Sequence, residues 1–532
     1  MPTSTWIALL TALAPLLVGD LASRTFRVGP KMARRLAVVA AVTSLVGSVA
    51  TAVVLVISGP SEAAFLAIDP AGFGGTLSVH VDALTALMLV MVSIVGSTVT
   101  AFSVRYLDGD PAQARFSRWL AFTLSAVLLL VVSGNLIMLW LSWVASSFGL
   151  HQLLTFYNER PGAVLAARKK LIISRLGDLF LLFAFLLIYL IYGTVEYEPL
   201  FDRARQMDAQ PWTTLAGLFL VFGAITKSAQ LPLHSWLPDT METPTPVSAF
   251  MHAGIINAGG FLLIRLSPAL ISAPLALEVL TFIGGSTAVF ASTVMLTQTD
   301  IKRKLAWSTI AQMGFMMLQI GLGAFALAAL HIVGHSFYKA HAFLSSASTV
   351  RTSIEPATSS PDRSSPGWLG FAVSLIAGAV VVLVFALPLG VDAKPGGVVL
   401  SVVLALAVSQ IVFTRQSLVP GSRTALLLAV RDGAILAAFY YGLAFLFDTL
   451  LRGSVAQASP QTISTFGAII SGLVIAFFSA AVILQAMLPH LGRSALGRRL
   501  YIHAYNGFYL GTVQDRLITR LWPVRSESPA TR

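Results

Sequence analysis

"LVFGAITKSAQLPLHSWLPDTMETPTPVSAFMHAGII" occupies residues 220–256 and decides how the chain is read. An apolar run ends on a bare lysine, Lys227. Pro232, Pro238, Pro244 and Pro246 follow with only two acids among them, and a second apolar run then opens and carries His252. Proline lacks an N–H, and its ring clashes with the carbonyl four residues back, which for Pro232 is Ser228. Leu231, just before it, is pushed away from helical angles. The helix must break there and free carbonyls beside Lys227. Broken backbone at membrane depth is tolerated only where protein or a wet cavity satisfies it. Discontinuous helices of this kind build midplane ion sites in transporters.

The rest of the chain supports a membrane setting. Of its 532 residues 56% are hydrophobic and 11% charged, where soluble proteins carry about 25% charged residues. The fold class is an all-α polytopic membrane protein with about 15 spans, counting apolar runs of bilayer length. Runs at 171–193, 212–231, 247–268, 304–322 and 325–349 carry the polar residues of interest. The divisions expected are N-terminal spans over 1–110, a first repeat over 111–270, and a second, degenerate repeat over 271–415. C-terminal spans over 416–490 and a basic tail over 491–532 follow. A Ser/Pro-rich linker, 351–367, interrupts the second repeat. The first apolar stretch has no basic leader and no small-residue cleavage site, so it reads as a retained helix.

Charge in the loops sets orientation. Arg24, Arg27, Lys31, Arg34 and Arg35 follow the first span, Arg105, Arg115 and Arg118 the third, and Arg160, Arg168, Lys169 and Lys170 the fifth. The alternate loops are acidic or bare. By the positive-inside bias the basic loops are cytoplasmic, the N-terminus periplasmic and the C-terminus cytoplasmic, in a bacterial inner membrane. The net charge of +12 is explained by this bias rather than by nucleic acid. The absence of cysteine excludes disulfides and thiolate metal sites within the chain. No phosphate loop, zinc-protease motif or nucleophile elbow occurs. No metal site is expected in the chain.

Lys339 is the clearest anomaly, since a lysine at a span's centre costs a few kcal/mol even on lenient insertion scales. His331, His335 and Lys339 recur at i, i+4 and i+8, which places three protonatable groups on one helical stripe, about 6 Å apart in rise. Arg175 and Asp178 are three apart and expected to pair. His151 sits near the end of the fifth span, and Arg265 is expected to snorkel outward.

Residues 225–254 (the core of the opening stretch), "DIKRKLAWSTIAQMGFMML" at 300–318 and "HIVGHSFYKAHAFL" at 331–344 resemble the antiporter-like superfamily. That superfamily comprises the large proton-pumping membrane subunits of respiratory complex I and the Mrp sodium/proton antiporters. "SGNLIMLWLSWVASS" (133–147) and "KKLIISRLGDLFLLFAFLLIY" (169–189) fit the same pattern. The resemblance implies two inverted five-helix repeats with broken helices, and a polar axis at midplane. On that axis Lys227 is the first-repeat lysine, Lys339, His331 and His335 continue it, and Asp178 and His252 match polar family positions. Three departures separate the chain from complex I. Val144 stands where those subunits carry a glutamate, with His151 seven residues on as a possible substitute. The second repeat retains prolines, but its Lys394 reads as a loop residue, leaving Arg431 and Asp432 as the nearest later charges. The long lateral helix is missing. The departures resemble the membrane subunits of DAB inorganic-carbon accumulation complexes, whose "HAGIINAGGFLLIRLSPAL" stretch recurs at 252–270. The resemblance implies a DabA-like zinc protein, resembling a carbonic anhydrase, as partner. The chain itself is then no enzyme and holds no cofactor, but conducts H+ or Na+. An ion-translocating subunit of a respiratory or Mrp-type complex, and a passive anchor for a soluble enzyme, are the alternatives.

Replacing Lys339 with Met keeps volume and removes the proton site. The expected outcome is loss of ion-coupled activity at unchanged membrane level, checked by transport and immunoblot side by side.

Overall fold

The structure is a computed structural model and describes residues 2–67, 76–346, 367–394, 396–419, 421–457, 464–491 and 494–522. The linker expected over 351–367 lies, apart from Gly367, outside the described residues. Helices dominate, in this order: α1 (Thr3–Ala14), α2 (Pro30–Ser58), α3 (Ala83–Tyr106), α4 (Gln113–Val132), α5 (Leu136–Leu154) and α6 (Pro161–Tyr192). An amphipathic helix α7 (Tyr197–Gln206) precedes α8 (Pro211–Lys227), α9 (Thr245–Ala253) and α10 (Ala258–Arg265). Then come α11 (Pro274–Thr297), α12 (Ile301–Gly321), α13 (Phe325–Leu344), α14 (Gly367–Ala386), α15 (Gly397–Leu418), α16 (Arg423–Leu450) and α17 (Thr465–Leu491). Two tail helices close the chain, α18 (Ala495–Tyr505) and α19 (Leu510–Leu521).

Among the described residues, 12 helical segments are long and apolar enough to cross a membrane. This is a multi-pass integral membrane protein. Three further expected spans, α8, α12 and α13, form helices but fall outside that set. They are the segments that carry Lys227, Ser308 and Lys339, and their shortness or polarity follows from holding the site.

Charge placement differs from expectation at two points. The span expected over 171–193 starts ten residues earlier, at Pro161, where proline is favoured in a first helical turn. Arg168, Lys169 and Lys170 therefore ride on α6 instead of lying in a loop, and Lys169 and Lys170 are 0% and 3% exposed. Arg265 does not snorkel: it is 1% exposed. Its guanidinium donates to both Asp82 carboxylate oxygens, at 2.7 and 3.0 Å, and to Thr85 at 2.6 Å. A fork of fixed donors matches a carboxylate in a way a snorkelling head in water does not need.

A small antiparallel hairpin, β1 (Ser61–Ala67) and β2 (Thr76–Val81), adds to the helical class. It covers one end of the bundle. Gly134 permits this, because its N–H reaches the Ser78 carbonyl at 2.7 Å and an added Cβ would lie within about 3 Å of the Ser78 backbone. His80 on β2 bridges Glu62, at 2.9 Å, to Asp82, at 3.5 Å. Burial opposes charge on His80, but its hydrogen bonds to Asp82 and Glu62 outweigh burial and hold the imidazole above its ordinary value. Burial likewise opposes ionisation of Asp82, and Arg265 with His80 holds it well below the usual carboxylate range.

His80 thus stabilises the fold fully below its unfolded pKa of about 6.5 and loses that contribution as pH rises through its higher folded value. The melting temperature of a His80→Phe protein is expected to fall below the parent's at pH 6, with the gap narrowing towards pH 9. Thermal melts of purified protein across that range check it.

Candidate functional site

The opening stretch breaks as its prolines require, and the structure shows how the break is satisfied. α8 ends at Lys227, and Ala229 adopts φ 50°, a left-handed conformation unusual for a residue with a Cβ. The exposed backbone groups find side chains. Trp236 Nε1 donates to the Thr226 carbonyl at 3.3 Å, Gln230 to the Ser228 carbonyl at 2.7 Å, and Gln514 of the tail to the Pro232 carbonyl at 2.6 Å. The Leu231 N–H donates to Thr287 at 3.1 Å.

A second break was not foreseen. The run expected over 247–268 is interrupted at Gly254 and by a 3-10 turn, Ile255–Asn257. Here the His252 carbonyl accepts from His335 at 3.0 Å, the Ala253 carbonyl from Asn257 at 2.9 Å and the Ile256 carbonyl from Ser228 at 2.7 Å. The last contact ties the two breaks together.

Lys227 lies 6% exposed at the first break. Its three donors are used: Nζ reaches the Trp143 carbonyl at 3.0 Å, Ser146 Oγ at 2.7 Å and Ser147 Oγ at 3.0 Å. It also sits 4.3 Å above the Trp143 ring centroid, a cation–π position. Asp178, paired with Arg175 at 2.8 Å, interacts electrostatically with Lys227. The close packing of α6 on α8 that permits this needs Gly177, where a Cβ would meet Thr226 Oγ1 at 2.1 Å. With Val144 in place of a carboxylate on α5, Asp178 on the neighbouring α6 is the acid that interacts with Lys227. His151 interacts electrostatically with Lys170 and Arg175.

Lys339 repeats the arrangement. It is fully buried, and Nζ donates to the Leu305 carbonyl at 3.2 Å and to Ser308 Oγ. In both sites a lysine bonds a helix carbonyl and the serine three residues further on, and that serine donates to the same carbonyl: Ser146 to Trp143 at 2.8 Å, Ser308 to Leu305 at 2.9 Å. The Leu305 carbonyl also accepts from Thr309 at 2.9 Å, and Thr309 Oγ1 contacts His252 Nδ1 at 3.0 Å. Since the single hydroxyl hydrogen goes to Leu305, His252 Nδ1 carries the proton between them. His335 Nε2 must carry one too, because the His252 carbonyl only accepts. Its Nδ1 lies 2.9 Å from the Gln312 amide, whose oxygen suits a charged ring and whose nitrogen suits a neutral one. The result is a contiguous series of polar groups, Gln312–His335–His252–Thr309–Leu305–Lys339, in which His252 takes part through its carbonyl on one side and its ring on the other. His331 stacks on His335 with centroids 6.2 Å apart and extends the stripe.

Pro238 opens a 3-10 turn, Pro238–Glu242, and Pro244 and Pro246 start α9. Asp432 is not brought to the chain of groups: it pairs with Arg415 at 3.1 Å and Arg431 at 2.9 Å. Lys394 is half-exposed and lies 3.8 Å from Asp448, so the second repeat's loop lysine is not a buried cation. Reading the sequence missed Ser146, Ser147, Ser308, Thr309 and Gln312; for Ser146 and Ser308 a hydroxyl three residues after a future acceptor was the sole signal. It also missed Lys170, whose Nζ donates to the Ser147 carbonyl at 2.7 Å. Lys169 is ion-paired to Asp239 and to Asp515 of the tail.

Two family models match the chain. One, "NADH:quinone oxidoreductase/Mrp antiporter, TM", covers residues 133–363, and the other, "NADH-Ubiquinone oxidoreductase (complex I), chain 5 N-terminus", covers 68–117. Complex I chain 5 from Metridium senile is 41% identical, but over 51% of this chain and 45% of its own. The probable inorganic carbon transporter subunit DabB2 of Halothiobacillus neapolitanus is 39% identical over 85% of this chain and 82% of its own. The chain belongs to the DabB branch of the antiporter-like superfamily. The probable DabB of Hydrogenovibrio crunogenus is 34% identical over 84% of each chain. The DabB branch shares its fold with the Mrp complex of Dietzia sp., a structure that aligns with a TM-score of 0.65 at 23% identity over 99% of this chain and 60% of that one.

Asp178→Asn removes the carboxylate that faces Lys227 while keeping its shape. Ion-coupled activity is expected to fall at least about tenfold, equivalent to ~1.4 kcal/mol, with membrane level retained. Transport measured in vesicles against protein quantity checks it.

Proposed function

We propose that this chain is the energy-coupling subunit of an inorganic-carbon transporter. It conducts H+ or Na+ through Lys227, His252, His335 and Lys339, and the ion flow drives conversion of CO2 to bicarbonate by a zinc-containing partner of the DabA type. The observation that carries the reading is the pair of buried lysines, each held by neutral oxygens, with Lys339 at one end of a series of polar groups that includes His252 and His335. Lysine is a poor choice for mere helix–helix glue in a membrane, so a passive anchor leaves both sites without a purpose. The similarity to DabB subunits over most of the chain favours inorganic carbon over respiratory coupling.

The division of labour follows from chemistry. A zinc-bound water, with its pKa lowered to about 7, is a competent nucleophile for CO2. In this reading the zinc belongs to the partner. Hydration by itself reaches equilibrium. Accumulation needs a free-energy input, and a charge moving down a membrane potential supplies about 2.3 kcal/mol per 100 mV. That exceeds a tenfold gradient at ~1.4 kcal/mol. The side with the tail helices and basic loops is then cytoplasmic, and the hairpin side periplasmic.

Co-expression of this chain with its partner is expected to restore growth of a carbonic-anhydrase-deficient bacterium at ambient CO2, and this chain alone is not. A protonophore, or a sodium ionophore if Na+ is the ion, should empty the bicarbonate pool. Rescue by this chain alone, or a pool that survives loss of both gradients, would sink the proposal.

A further inference from the structure

Two buried lysines meet on one serine at the first site, and the path just described uses one of them. The Ser147 carbonyl accepts from Lys170 Nζ at 2.7 Å, and the Ser147 hydroxyl accepts from Lys227 Nζ at 3.0 Å. Lys170 is 3% and Lys227 6% exposed. Asp178 interacts with both and is already paired with Arg175 at 2.8 Å. With both amines charged, three cations would surround one anion in an apolar interior. Like charges taken out of water and held this close disfavour one another's protonation.

The other titratable groups around the pair do not relieve this. From α5, His151 faces Lys170 and Arg175 and is no anion. Next along α6, Lys169 turns away to Asp239 beyond the broken helix and to Asp515 of the tail, which occupy those two carboxylates. A lysine needed only to tie α6 to α5 would do so more cheaply as a serine or glutamine. Burial of a second amine against a first is a costly choice that changes how the first one holds its proton.

We infer that Lys170 and Lys227 are a two-amine relay that shares one charge across Ser147, with Lys170 setting the protonation of Lys227. The two amines bond different oxygens of Ser147, so they are coupled through charge: when an N–H bond of the Lys170 ammonium breaks and its proton leaves to the tail-side surface, the Lys227 amine can take up a proton and form an N–H bond in its place. Lys170 becomes neutral, Lys227 becomes charged, and the net charge of the pair is unchanged. Lys170 lies nearer the start of α6, on the tail side, so it is the member closer to that surface. The pair does by repulsion what a glutamate at position 144 would do by attraction: it makes the charge on Lys227 depend on a neighbour.

The transport role rests on the ion-conduction reading, but the shared charge does not, so two measurements separate them. The first uses the complex in vesicles and follows ion-driven transport against pH. Lys170→Met is expected to move the alkaline limb of the profile up by about one pH unit, because Lys227 then keeps its charge without a competitor. Lys170→Arg fixes a charge that cannot be given up and is expected to abolish transport. A tie between helices predicts the reverse: rescue by Arg, low protein level for Met and an unmoved limb. That result overturns the inference. The second measurement is thermal unfolding of the purified chain with Lys170→Met, Lys227→Met and the double variant at pH 6 and pH 9. Sharing one charge means that either single change raises Tm relative to the parent more at pH 6 than at pH 9, and that the second change adds little. Additive, pH-independent changes overturn the inference whether or not the chain moves ions. Coupled melts in a chain that conducts nothing would leave the shared charge standing and remove the transport reading.

Discussion

An ammonium group has three N–H donors and no acceptor, so inside a bundle of apolar helices it must be surrounded by oxygen. Intact helices offer almost none, because their carbonyls are already bonded along the axis. Lys227 and Lys339 solve this with the same local device, a carbonyl together with the serine hydroxyl three residues on, from a neighbouring helix. The hydrogen-bonding surroundings of both lysines are neutral. A carboxylate in direct contact would hold the charge in place, whereas carbonyl and hydroxyl oxygens stabilise an ammonium without trapping its proton.

The helix breaks add a requirement of their own. Each freed backbone group has to be bonded from elsewhere, and the partners come from distant parts of the chain. Thr287 of α11 serves Leu231, Ser228 serves Ile256, His335 serves His252, and Gln514 of the tail serves Pro232. The polar groups leading to Lys339 and the backbone repair therefore share members. His335 belongs to both: one ring nitrogen bonds the broken helix and the other contacts Gln312. A change in its charge is felt by the second break as well as by Lys339. The tail helix is tied into the same network through Asp515 and Lys169, which places the end of the chain against the first broken helix.

The hairpin end follows a different logic. There Asp82 and Arg265 form a forked, fully buried pair extended by His80 and Glu62. Breaking such a pair by removing one partner is far more costly than its net worth.

Much of this was legible in residues 220–256 and 325–349, because the signals there are local. A proline four residues after a carbonyl clashes with it in any helix, so the break beside Lys227 is a property of the chain alone. Histidines and a lysine spaced by four share a stripe in any helix, so His331, His335 and Lys339 were placed before their neighbours were known. The apolar runs likewise determine that the chain crosses a membrane many times, since no other solvent suits them. What the sequence could not contain is which groups meet across helices. Lys170 and Arg265 look like interfacial charges in one dimension. Only packing turns Lys170 onto Ser147 beside Lys227, and only the approach of α10 to the start of α3 gives Arg265 its carboxylate. The break at Gly254 and the choice of Asp178 as the acid near Lys227 are of the same kind. A buried charge is defined by the partner that satisfies it, and that partner stands many residues away.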